Sequence, residues 1–135
     1  MIRAAIRYRI NAPLGADDLR AIYTSSGLIR PIGDRRRLAR MAKEADVTVT
    51  AWDGTRLVGI ARAITDFAYC AYLSDLGVDE AYQRKGIGRE MVRRMRARLG
   101  DRVMLLLLAN VNARDYYGKI GFERADNAWK VPRKR

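Results

Sequence analysis

Three groups of residues in this sequence have the types and spacing to do chemistry. The first is Gln83-Arg84-Lys85-Gly86-Ile87-Gly88, which follows an apolar strand pattern and opens a helical one. Glycines let a backbone approach a ligand closely, and the N–H groups of a helix N-terminus carry partial positive charge. Arg84 and Lys85 add full charges, so the segment suits an anion. The spacing fits neither G-x-x-x-x-G-K-[ST] nor a complete G-x-G-x-x-G, so neither a nucleoside-triphosphate loop nor a dinucleotide fingerprint is supported. A tight strand-to-helix turn stands beside the anion reading.

The second group is Tyr116 and Tyr117 in "ARDYYGKIGF", residues Ala113–Phe122. A phenol with an ordinary pKa of about 10 can protonate a thiolate or alkoxide leaving group. Tyr116 is expected in the core. The third is Asp75, a carboxylate in an otherwise apolar strand pattern, which demands a partner or a function. For Asp75 the partner reading is an arginine or backbone N–H groups; the alternative is a role in catalysis. By strand alternation it shares a face with Tyr69, Ala71 and Leu73. Asp66 and Glu80 read as turn residues. Asn110 and Asn112 close the apolar run before the tyrosines, where they can cap the helix that follows.

The chain has no His and one cysteine, Cys70. That excludes imidazole catalysis, an internal disulfide and a cysteine metal cage, so no metal is expected. Cys70 reads as a small core residue. A reducing cytoplasm is the expected compartment, since "MIRAAIRYRI" alternates basic and apolar residues and does not resemble a secretory signal. The most apolar run, Val103–Ala109, is far shorter than the roughly 20 residues that span a bilayer.

These groups need elements to hold them. Ile2–Ile10 alternates as a half-buried strand, and Ala16–Ser26 has helical spacing through Leu19, Ile22 and Tyr23. Asp34 is an N-cap for a helix over Arg35–Ala45, whose inner stripe is Leu38, Met41, Ala42 and Ala45. Val47–Ala51, Arg56–Thr65 and Tyr69–Val78 read as an antiparallel meander, turning at Asp53-Gly54 and at Asp66–Ala68. Ile87–Leu99 is an amphipathic helix closed by Gly100. Val103–Ala109 reads as a strand covered on both faces. Val111–Ile120 is a short helix, and Phe122–Val131 a last strand or hairpin. The order βααβββαβαβ describes an α+β fold, and 135 residues suffice for one domain, 1–135.

The run "LSDLGVDEAYQRKGIGREMVRRM", followed by an apolar strand and "NVNARDYYGKIGF", resembles the acetyl-CoA-binding core of the GNAT superfamily of N-acetyltransferases. Gln83, Gly86 and Gly88 fill the fixed positions of the family's [QR]-x-x-G-x-[GA] pyrophosphate loop. Tyr116, Tyr117, Gly121 and Phe122 fill its later aromatic-Tyr-x-x-x-Gly-Phe signature. The likeness covers residues 69–123.

This resemblance implies a mostly antiparallel twisted sheet of six to seven strands, with the fourth and fifth splayed apart, flanked by about four helices. The backbone of Leu76, Gly77 and Val78 would pair with the pantetheine arm. The N–H groups of Arg84, Lys85, Gly86, Ile87 and Gly88 would hold the pyrophosphate, with Gln83 beside them. Asn110 or Asn112 would meet the pantetheine. Tyr117 would be the general acid, and Asp75 the candidate proton acceptor. The reaction implied is direct attack of a primary amine on the thioester of acetyl-CoA, with a small-molecule acceptor or, alternatively, a protein N-terminus or lysine. Homodimers occur among relatives, but no surface in this sequence announces one.

The formal net charge of +12 raises a reading of another class, a nucleic-acid-binding protein. Its contacts would be Arg35–Arg37, the outer face of Ile87–Leu99 and the tail "PRKR". Two features weigh against it. The 22 arginines are spread along the whole chain, and the aromatics fall in apolar periodic patterns rather than an exposed stacking stripe. No membrane partner is expected.

Overall fold

A computed structural model describes residues 5–135, the side chain of Asn112 excepted. The elements are β1 (Arg7–Ile10), α1 (Ala16–Ser26), α2 (Arg35–Glu44), β2 (Val47–Asp53), β3 (Arg56–Thr65), β4 (Cys70–Val78), α3 (Ile87–Leu99), β5 (Met104–Leu106) and α4 (Arg114–Lys119). Short 3₁₀ turns at Glu80–Tyr82 and Val111–Ala113 precede α3 and α4. The strands form one sheet in sequence order, antiparallel except for the parallel β4–β5 pair. Ile2 and Ala4, read above as part of the first strand, lie outside the described residues.

The local signals in the sequence act as their chemistry dictates. The Asp34 carboxylate accepts the Arg37 N–H at 3.1 Å and starts α2. The Gly100 N–H returns to the Arg96 carbonyl at 2.9 Å and ends α3. Asp66 accepts the N–H groups of Ala68, Tyr69 and Cys70, which fixes the β3–β4 turn.

The sheet is packed on both faces. On one, Met91, Val92, Met95 and Leu99 of α3 lie against Val47, Val49, Ala61, Ala63, Ala71 and Leu73. Fully burying side chains of this size contributes roughly 1.5–3 kcal/mol each. On the other, Leu19, Ile22 and Tyr23 of α1 and Leu38 of α2 pack around Ile60. Among the described residues, no helix is long and apolar enough to cross a membrane.

Four expectations need correction. The sheet has five strands among the described residues, not six or seven. Phe122–Val131 is not a strand: only Phe122 packs on the core, while Trp129 is 97% exposed. Charged residues and the Asp126-Asn127 turn leave that segment little apolar surface to bury. β5 is three residues long and is covered on one face only. Val103, Leu105 and Leu107 pack toward α3, whereas Met104 and Leu108 are exposed, because α1 and α2 cover earlier strands. Cys70 is likewise exposed; it starts β4 beside the turn, opposite Met104.

Candidate active site

The site is built from a failure of strand pairing. β4 pairs with β5 only through Cys70, Ala71 and Tyr72, although β4 runs on to Val78. Beyond Tyr72 the two strands part, as the expected splay requires. Across the sheet, Arg62 pairs with Asp75 but Ala63 pairs with Leu73, so Ser74 is an extra residue, a β-bulge. The parted strands, the loop before α3, the end of α1 and helix α4 enclose a cleft of about 1050 Å³.

Most of the residues singled out from the sequence meet in this cleft. Leu76, Gly77, Val78, Gln83, Arg84, Gly86, Ile87, Gly88, Asn110 and Tyr117 all line it. Lys85 stands just outside, with its ammonium 5.9 Å from the centre of the Tyr82 ring. Asn110 accepts the Ala113 N–H on its backbone carbonyl at 2.9 Å. The side chain of Asn112 lies outside the description.

The loop entering α3 has the backbone of an anion cradle. Arg84 (φ 63°) and Gly86 (φ 82°) are both left-handed, a conformation that glycine adopts freely and arginine does not. Such residues turn successive N–H groups toward one side. The first N–H of α3 to bond back along the helix is that of Glu90, to Gly86 at 3.0 Å. The first-turn groups before it are those a helix N-terminus offers to an anion. Gln83 donates its side-chain amide to the Val78 carbonyl at 2.9 Å, which ties the loop to the end of β4.

Gly77 explains how the opposite wall comes so close. A Cβ there would lie 2.7 Å from Leu28 Cδ1 and 3.0 Å from Ser26 Oγ. The end of α1 therefore rests directly on the β4 backbone.

Tyr117 is half-buried, held edge-on against Tyr116 at 5.4 Å and Phe122 at 5.7 Å. Burial, with a smaller contribution from Tyr116, raises its pKa above the ordinary phenol value, so it keeps its proton at neutral pH. Tyr116 is not a core residue. It lines the cleft, and a Cβ on Gly88 would stand 3.1 Å from its hydroxyl. The six-residue α4 turns both rings to the same cleft, which spacing along a longer buried helix did not suggest.

Asp75 corrects the alternation argument. The bulge at Ser74 turns it away from Leu73 to the α1 face, where it is fully buried. Its carboxylate receives Tyr23 Oη at 2.5 Å, Arg62 Nε at 2.5 Å and Arg30 Nε at 2.7 Å. Burial raises its pKa, but the hydrogen bond and charge of Arg62, helped by Tyr23 and Arg30, outweigh that and leave it below the usual carboxylate range. A carboxylate so engaged is a poor proton acceptor, and Asp75 does not line the cleft. Of the two readings left open by the sequence, the arginine partner is the one the geometry fits.

Arg30, Ser74, Arg89, Tyr116 and Lys119 also line the cleft. From the sequence, Arg30 in "GLIRP" either meets an anionic group on the acceptor or merely turns the chain. Its role depends on Asp75, 45 positions away, and short-range spacing cannot show such a contact.

The sequence profile described as the acetyltransferase (GNAT) family matches residues 16–122. The histone acetyltransferase TAP1 of Glycine max is 34% identical over 70 residues, which is 50% of this chain and 30% of that protein. The match thus spans less than a third of the length of that curated relative. A probable acetyltransferase from Staphylococcus aureus, 22% identical, superposes with a TM-score of 0.83 over 97% of this chain and 100% of its own. An aminoglycoside N-acetyltransferase in complex with CoA, 12% identical, has a TM-score of 0.68 over 98% of this chain and 97% of its own. These two likenesses concern the fold.

Proposed function

The chain belongs to the acetyltransferase (GNAT) family, and from that premise we propose that it transfers the acetyl group of acetyl-CoA directly to a primary amine of a small molecule. The observation that carries this reading is the parting of β4 from β5 beside a left-handed, glycine-containing loop. An open strand edge suits the amide groups of a pantetheine arm, and the loop suits a pyrophosphate. Bound acetyl-CoA would supply an activated acyl group with a thiolate leaving group.

The chain's own residues would do the rest. The β4 backbone from Leu76 to Val78 aligns the arm, and Arg84 to Gly88 hold the negative end. Arg84 and Arg89 add charge to that end of the cleft. The apolar side chains of Leu73, Leu76 and Leu107 also line the cleft and suit the uncharged thioester. As the C–N bond forms and the C–S bond breaks, Tyr117, protonated at neutral pH, donates its hydroxyl proton to the departing sulfur. A water relay takes the proton that the amine nitrogen gives up and returns one to the phenolate. No covalent enzyme intermediate is needed, and Cys70 at the turn has no part in it.

A protein lysine acceptor is the second reading, favoured by the name of the soybean relative. The net charge of +12 weighs against it, because a lysine-rich tail would meet like charge. The test is thiol release from acetyl-CoA with a panel of small amines and lysine peptides. The proposal expects turnover with small amines; turnover with the peptides alone would replace it by the second reading.

A further inference from the structure

Beneath the α1 side of the cleft, Arg30 and Arg62 share one carboxylate, that of Asp75. Tyr23, the third partner, is held neutral, its pKa raised by burial and by Asp75. The cluster therefore carries one uncompensated positive charge. Arg62 is 7% exposed and contributes its Nη2 to Ser74 Oγ at 3.1 Å. Arg30 is the member that reaches the cleft, with 25% of its side chain exposed.

A guanidinium has five N–H groups. Arg30 uses three: Nε to Asp75, Nη2 to the Ser74 carbonyl at 2.8 Å and Nη1 to the Ile29 carbonyl at 2.7 Å. One hydrogen on each terminal nitrogen is left over among the described residues. The bonds already made fix the plane of the group against β4, so a further anion meets a preset donor. The donor's phosphates cannot be its partner if they occupy the loop at Arg84–Gly88, at the other end of the β4 segment that lines the cleft. The lining near Arg30 is otherwise Ser26, Leu28, Ile29, Leu73 and Ser74, hydroxyls and hydrocarbon without charge.

We propose that the acceptor is an amine that also carries a carboxylate, and that Arg30 binds this carboxylate at the α1 side of the cleft. The proposal rests on the acetyl-transfer reading and names its substrate class. An acceptor anchored in this way presents its amine toward the gap between β4 and β5. Asp75 and Ser74 then act as positioning residues, through Arg30.

The test compares amino acids with their own carboxamides as acceptors, by thiol release at saturating acetyl-CoA. The carboxamide has the more easily deprotonated amine, so intrinsic reactivity favours it. A preference for the acid must come from the site. The expected result is a kcat/KM for the acid at least about tenfold above the carboxamide, the factor of one charge-assisted hydrogen bond. Arg30→Gln should bring the pair to within about threefold, and Arg30→Lys should keep part of the preference. A purely structural role for Arg30 would lower both acceptors together and leave their ratio intact; that result overturns the proposal. So does a wild-type preference for carboxamides, or acetyl-CoA binding with no transfer to any amino acid. If acetyl-CoA itself fails to bind, the acetyl-transfer reading falls, which is a distinguishable outcome.

Discussion

The two ends of the cleft are made in different ways. The end at Gln83–Gly88 is a backbone structure: two left-handed residues and a helix N-terminus, all within six consecutive positions. The end at Arg30 is a side-chain structure, in which Tyr23, Arg30, Arg62 and Asp75 come from four separate elements or loops. A backbone site is set by local chemistry and tolerates changes around it. A buried ionic site is set by the whole fold and fails as a unit. Substitutions at the two ends should therefore differ in what they damage.

The largest effect is expected at Asp75. Asp75→Asn leaves Arg62 buried without its counter-charge, at a cost of about 3 kcal/mol or more. Chemical denaturation would measure this as a lower midpoint; an unchanged midpoint would contradict the ion cluster. At the other end, Tyr117→Phe should lower kcat by about 100-fold, the low end of what a positioned proton donor contributes, with acetyl-CoA affinity and folding nearly unchanged. A wild-type rate would remove Tyr117 from the mechanism.

Smaller effects sharpen the contrast. Gly86→Ala forces a Cβ into the left-handed region and should cost about 1 kcal/mol. Nothing lies within 4 Å of that Cβ, so the loop has room to relax in the free protein. The cost is then met on binding, read by calorimetry as weaker acetyl-CoA affinity with a smaller loss of stability. The pH dependence of folding tests Asp75 again. Its folded pKa lies below the usual value, so its contribution is complete above the unfolded pKa of about 3.9. It is lost as pH falls through the folded value. Wild type should hold its stability down to about pH 5 and then decline, and Asp75→Asn should lack that part of the decline. The smallest effect belongs to Glu90, whose pKa is lowered to about 2, first by the Arg93 hydrogen bond, with burial opposing and Arg94 assisting. The pair faces solvent on α3, so Glu90→Ala should change stability by about 0.5 kcal/mol or less.

The same division decides what could be read from the sequence. Gly86, Gly88 and the Tyr117–Phe122 spacing lie within short stretches whose chemistry is local, and they led to the loop, the helix and the cleft. Periodicity placed the α3 stripe of Met91, Val92, Met95 and Leu99 correctly because a single face of that helix is buried. Asp75 was harder. One inserted residue, Ser74, reverses which face it occupies, and alternation carries no sign of a bulge. Tyr116 departs from the core position expected of it because the short α4 exposes what a longer helix would bury. Phe122–Val131 had strand-like residues at its ends but nothing to pair with, and pairing is a property of the assembled sheet.

Calorimetric titration of acetyl-CoA into the wild-type protein tests the central claim most directly, that the gap between β4 and β5 is a donor site. The account expects one site per chain, surviving at moderate salt because the contacts concentrate in one loop, and weakened in Gly86→Ala. Absence of binding, or binding that vanishes steeply with added salt as a diffuse basic surface would give, would contradict it.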